Sequence, residues 1–310
     1  MAIHIYREEN AFGRCICADN GKVLVKGTLD LGPRIIWLSL SGGENLFFND
    51  PEKGFFEASA EMADFYGEGA RWNIYGGSRL WTAPEHMVYT YFPDNAPVSV
   101  EEEPDGFTLI PPPQPENGIQ LMIRLRLAPD EARIRVEYGI KNIGERPLSL
   151  APWAISAMDA GGFAFFPHNT RNTDPYPNRL LTLWQASRAD DSRFWWGEEF
   201  VGVRHQAQGR TFKLGYNNES GLLCWIHPGK RAAFVKKYHH RKGGFYPDAG
   251  CSTELFTCDR FTEVESLGLL QTVQPGQIVS HLEEWRVLPF AGQLPQTEGE
   301  LSALWQELIR

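Results

Sequence analysis

The chain lacks the motifs that mark most enzyme families. Its 310 residues hold no phosphate-cradling P-loop, no dinucleotide-binding glycine fingerprint, no His-Glu-x-x-His helix and no Gly-x-Ser-x-Gly elbow. Positive charge is also short. With 30 Lys and Arg against 39 Asp and Glu, the net charge is −9, which excludes nucleic acid as the main partner because phosphate binding needs a basic face. The cysteines at 15, 17, 224, 251 and 258 are odd in number and include one Cys-x-Cys pair. That fits neither a disulfide framework nor a zinc ribbon, so they read as reduced thiols. The opening "MAIHIYREENAF" has no charged-then-apolar leader, and no apolar run approaches a membrane span. The expected location is the cytoplasm.

What is present is a globular composition, 42% hydrophobic and 22% charged, which rules out disorder and collagen-like repeats. The 10 Trp residues suit either thick β-packing or apolar platforms for a ligand. Short alternating runs recur, broken by Gly, Pro and Asn. In "IRVEYGI", Ile134, Val136, Tyr138 and Ile140 fall on one face and Arg135 and Glu137 on the other, a half-buried antiparallel strand. Many such runs predict an all-β sandwich or barrel. Helical spacing is convincing only in "TEGELSALWQELIR", about residues 297–310, behind a Thr297 cap; "EASAEMADFYG" is a shorter candidate. The Pro-rich "LIPPPQPENG" reads as a hairpin loop, so one domain over 1–310 is expected.

Three stretches carry candidate chemistry. "NIYGGSRLWTAPEH" crowds Gly76 and Gly77, which let a ligand approach closely, with Arg79, a fork of donors, Trp81, an apolar plate, and Glu85 and His86, which exchange protons. It reads as one wall of a site rather than a solvated turn. "FVKKYHHRKGGFYPDAGCSTELFTCDRFTEVESLG" supplies Lys237, His239, Tyr246, Asp248, Glu254, Glu263 and Glu265. Glu263 and Glu265, two apart in a strand-like run, share a face, which is costly in a core and useful in a polar cavity. Glu254, beside Leu255 and Phe256, is placed to have a raised pKa, as a general base needs. Adjacent His239 and His240 point to opposite faces in a strand, so no metal site is expected. "WAISAMDAGGFAFFPHN" reads as strand, Gly turn and strand, with Asp159 and His168 as further candidates.

Several segments together resemble the galactose mutarotase-like (aldose 1-epimerase-like) superfamily. They are "LDLGPRIIWLSLSGGENLFF", "IRVEYGIKNIGERPLSLAPW", "GGSRLWTAPE", "YPDAGCSTELFT" and "EVESLGLL", in that order across roughly residues 20 to 288. The resemblance is to an uncharacterised branch. It implies a β-supersandwich with a short C-terminal helix, its concave face binding carbohydrate. In true mutarotases a Glu on a late strand takes the anomeric proton, a His protonates the ring oxygen, and an Arg and a second His hold the sugar. By position Glu254 resembles the base, Arg79 the sugar-holding Arg and His86 the second His. The segment that carries the family's acid His reads "AISAMDAGGFAF" here and has no His.

The resulting expectation is a carbohydrate-binding protein, an aldose-epimerase-like isomerase working by acid/base exchange without cofactor or metal. Its rival is a non-catalytic sugar-binding or sensing protein on the same fold. Glu254 is the expected base and His86 or His239 the acid. Arg79 and Lys237 would orient hydroxyl or carboxylate groups, and Trp81 would stack on the ring. Glu85, Tyr246, Asp248, Asp159, His168, Glu263 and Glu265 complete the expected site. The partner is a small sugar, with neither nucleic acid nor membrane involved.

Overall fold

The computed structural model describes residues 2–310. Two antiparallel sheets, of eleven and ten strands, face each other across one continuous apolar layer. The alternation legible in the sequence sets the faces. Along Arg133–Asn142, Ile134, Val136, Tyr138 and Ile140 are each fully buried between the sheets. Burying a side chain of that size contributes about 1.5–3 kcal/mol. The ten-stranded sheet turns its outer face to the Glu298–Leu308 helix. There Phe163 and Phe165 pack against Leu301, Trp305 and Leu308. That helix begins at Thr297, whose side chain and Glu300 form a capping box, and the short helix expected near residue 60 spans Ala60–Tyr66.

The strands that carry the candidate site lie side by side in the eleven-stranded sheet, in the order Gly77–Ala83, Leu148–Asp159, Phe261–Leu267, Thr253–Thr257, Phe212–Tyr216. Each sends alternate residues to opposite sides. Leu80, Ala154, Met158, Val264, Leu255 and Leu214 enter the inter-sheet core. Trp81, Trp153, Ile155, Ala157, Phe261 and Leu267 form a second apolar cluster on the other face.

A buried polar knot ties the two sheets beneath the site. Lys236, on the ten-stranded sheet, pairs with Glu283 at 3.1 Å and donates to the Val264 carbonyl at 3.0 Å across the sandwich. Glu283 also accepts from Ser266 and from the Trp285 indole, and His281 meets Ser266 at 2.7 Å. Partners on every side let these charges stay buried.

Two sequence expectations change in detail. "GGSRLWTA" forms a central strand over Gly77–Ala83. Its glycines serve the fold, not a ligand. Gly76 and Gly77 have φ of +95° and +69°, and a Cβ would meet the Phe48 carbonyl oxygen at 2.0 Å or that of Ile35 at 2.2 Å. The Gly turn after Asp159 also does more than reverse the chain. It carries it from the eleven-stranded sheet into Phe163–Pro167 of the ten-stranded sheet.

Candidate functional site

A pocket of about 480 Å³ opens on the second face of the eleven-stranded sheet. Aromatic rings make most of its wall: Phe55, Phe56, Trp72, Trp81, Tyr91, Trp153, Trp184, Phe256 and Phe261. Trp72, Trp81 and Tyr91 form a mutual cluster, with ring centroids 4.8–5.2 Å apart. Between these rings stand five charged side chains, Glu57, Arg79, Glu85, Lys213 and Glu263. Gln185, Ser187 and Thr211 add neutral polar groups.

Register explains the floor. Arg79 pairs with Ile155 across one strand boundary, and Ala157 pairs with Glu263 across the next, so all project to the same side. Arg79 Nη1 then donates to Glu263 Oε1 at 2.9 Å, and its guanidinium lies 4.2 Å from the Trp81 ring centroid. On the far side, Lys213 Nζ sits 2.7 Å from Glu254 Oε2 and 3.6 Å from Glu265 Oε2, and stacks over Trp153 and Trp184. The Trp153 indole donates to Glu265 at 2.7 Å. Each buried cation is therefore held by carboxylates and aromatic faces together.

The electrostatics follow from this crowding. Burial pushes Glu254 well above the usual carboxylate range; Lys213 opposes the shift, while Glu265 and Asp248 add to it. Burial also raises Glu263, against the pull of Arg79. For Lys213, burial works against the charge, but Glu265 and Glu254 outweigh it and hold the ammonium above its ordinary pKa. The site thus sets carboxyl groups whose affinity for protons is raised by burial beside an ammonium whose charged form is favoured.

The expected residues divide into three groups. Arg79, Trp81, Glu85 and Glu263 line the pocket. Glu254 and Glu265 are fully buried directly beneath Lys213, with Asp248 close to Glu254. The remaining candidates stand elsewhere. His86 is exposed beyond the end of its strand, stacked on Tyr89 and accepting from the Val88 and Tyr89 amides. Lys237 and His239 are exposed at the end of Ala232–Tyr238, in the opposite sheet. Tyr246 is buried against His240 and accepts from the Arg241 amide. Asp159 pairs with Lys230 at 2.6 Å, and His168 bonds Tyr216 and the Gly197 carbonyl. None of these six lines the pocket.

Sequence reasoning passed over Lys213, Trp72, Trp184 and the Phe55–Phe56 pair. In "RTFKLGYN" the lysine alternates with apolar residues, as a solvent-facing strand residue does. Only the carboxylates of Glu254 and Glu265, from the next two strands, mark it as an ion-paired, partly buried cation.

This arrangement, a large antiparallel sandwich with an aromatic pocket on one sheet, is the galactose mutarotase-like fold. The chain is similar to a putative mutarotase from Salmonella typhimurium, at 11% identity over 92% of this chain and 94% of the other, with a TM-score of 0.55. It is similar to a galactose mutarotase-like protein from Lactobacillus casei, at 11% identity over 88% of this chain and 100% of the other, TM-score 0.55. A TPR-domain containing protein from Parabacteroides distasonis aligns at 13% identity and TM-score 0.61 over 92% of this chain, which spans about half of that protein's length (49%). No family model matches the chain, and no curated protein does. At these identities the likeness is one of fold.

Proposed function

We propose that the pocket binds a carbohydrate and that the protein is an aldose-epimerase-like enzyme whose proton exchange runs on carboxyl groups rather than on histidine. The observation that carries this reading is the pairing of aromatic walls with a floor on which Arg79 is ion-paired to Glu263 and Lys213 to Glu254. Rings of Trp72, Trp81 and Tyr91 offer flat apolar surface to the C–H face of a sugar. Arg79 and Lys213 are fixed donors for its hydroxyl oxygens.

Of the three glutamates that line the pocket, Glu263 is the buried one on its floor, so it takes the anomeric hydroxyl proton in this proposal. Burial raises its affinity for a proton, as a general base needs. The Lys213 ammonium passes a proton to the ring oxygen as the C1–O bond opens while taking one from Glu254 behind it, so the lysine keeps its charge. Rotation about C1–C2 and reversal of the same transfers close the other anomer. Glu254 thus acts through Lys213, one layer further from the sugar than its position in the sequence suggests.

A second reading, a sugar receptor without turnover, draws support from one observation. Among the described residues no histidine lines the pocket. Calorimetry against a panel of aldoses, with NMR of anomer exchange on the same samples, separates the two. Binding with accelerated exchange supports the enzyme, binding without it the receptor, and no binding at all overturns the carbohydrate reading.

A further inference from the structure

Carboxylates outnumber cations around the pocket. Glu57, Glu85 and Glu263 line it with Arg79 and Lys213, while Glu254 and Glu265 approach Lys213 from beneath. Arg79 is paired with Glu263, and Lys213 with both buried glutamates. The charge of each cation is thus already matched by a carboxylate within the protein. Two further guanidinium groups lie nearby but do not line the pocket. Arg71 rests on the Phe56 ring and bonds the Lys53 carbonyl and Asn73, and Arg260 rests on Phe55.

Two carboxylates lining the pocket, the half-buried Glu57 and the exposed Glu85, have no ion-pair partner among the described residues. The Glu57 side chain makes no hydrogen bond or ion pair with any described residue, and Glu85 accepts only the Tyr91 hydroxyl, at 2.6 Å. Both stand by Tyr91, whose hydroxyl is held above its ordinary pKa first by burial and then by Glu85, with a smaller push from Glu57. Beside them is the Trp72–Trp81–Tyr91 cluster, whose ring faces attract cations. Two donors on the same wall also lack partners. Trp72 Nε1 and Arg79 Nε are buried, in side chains 5% and 2% exposed, and find no hydrogen-bond acceptor in the protein. They suit the hydroxyl oxygens of a polyol.

We infer that this pocket selects a positively charged sugar, an aminated hexose or a close relative, with its ring against Trp72, Trp81 and Tyr91 and its ammonium on Glu57 and Glu85. The inference rests on the reading of the pocket as a carbohydrate site and narrows it. An anionic sugar meets only surplus negative charge here. A neutral one leaves Glu57 and Glu85 without a partner.

The test is calorimetry on the full chain with four probes at one pH: a 2-amino-2-deoxyhexose, its N-acetyl derivative, the parent neutral hexose and the corresponding uronic acid. The amino sugar is expected to bind about tenfold or more tightly than the neutral and N-acetyl forms, the equivalent of about 1.4 kcal/mol. The advantage should shrink as salt is raised. Uronic acid binding should not be detected. In the Glu57→Gln/Glu85→Gln variant, whose folding is checked by its melting curve, the preference for the amino sugar falls to near unity. Equal binding of amino and N-acetyl forms, or tighter binding of the uronic acid, overturns the charge assignment and leaves the carbohydrate site standing. Failure of all four to bind overturns both.

Discussion

Arg79 and Glu263, 184 positions apart in the chain, meet at 2.9 Å on the floor of an aromatic pocket. Both are almost fully buried, so each is the other's main compensation for lost water. Removing one partner leaves an uncompensated charge, which typically costs about 3–5 kcal/mol. Arg79→Ala is therefore expected to lower the urea midpoint steeply. Glu263→Gln, which keeps an acceptor for the guanidinium, should cost clearly less. Equal midpoints for wild type and Arg79→Ala would show that the pair is not formed in solution.

The ring cluster makes a separable prediction about binding. Trp81 touches Trp72, Tyr91 and the Arg79 guanidinium. Trp81→Ala should weaken sugar binding by tenfold or more, about 1.4 kcal/mol, whereas Trp81→Phe keeps a flat apolar face and most of the affinity. Titration of both variants, with melting curves as a folding control, decides it.

Histidines give a negative control for the chemistry. His86 and His239 lie outside the pocket, so His86→Ala and His239→Ala should exchange anomers at the wild-type rate. Lys213→Met, by contrast, removes the donor between Glu254 and the sugar, and a positioned proton donor is typically worth ~10²–10⁴-fold in rate. A rate collapse in either histidine variant would move the acid back to that residue.

Stability should depend on pH through two other histidines. Burial lowers both the His168 and the His281 imidazole to about 4, from an ordinary value of 6.5. Between those values the unfolded chain binds more protons than the folded one. Stability is therefore fully present above about 6.5 and is lost as pH falls toward 4. Urea midpoints at pH 7 and pH 5 measure the slope, and His281→Gln should flatten it. Glu254 and Glu263, raised by burial, slope the other way, so the histidine is read from the variant: identical pH slopes in wild type and His281→Gln would contradict the placement of the His281 ring.

Much of this architecture is legible in the chain because a strand's period of two assigns faces locally. It puts Ile134, Val136, Tyr138 and Ile140 inward, and it puts Glu263 and Glu265 on one shared face, as the structure has them. The same rule places Arg79 and Trp81 together. What a local pattern does not carry is which strands become neighbours. Lys213 looks like a solvated strand lysine until Thr253–Thr257 pairs beside it, and Trp72 and Trp184 reach the pocket from segments with no distinguishing signal. Proximity in sequence also misled. His86 follows the Arg79 strand directly but turns out to solvent, and Lys237 and His239 sit in a motif with Glu254 yet belong to the opposite sheet.

The most direct test of the central claim is anomer exchange, followed by NMR on a sugar that calorimetry shows to bind, in wild type and Glu263→Gln. The account predicts accelerated exchange in wild type and a loss of about 10²-fold or more in the variant, with binding retained. Exchange at the wild-type rate in Glu263→Gln, or no acceleration by the wild-type protein, would contradict it.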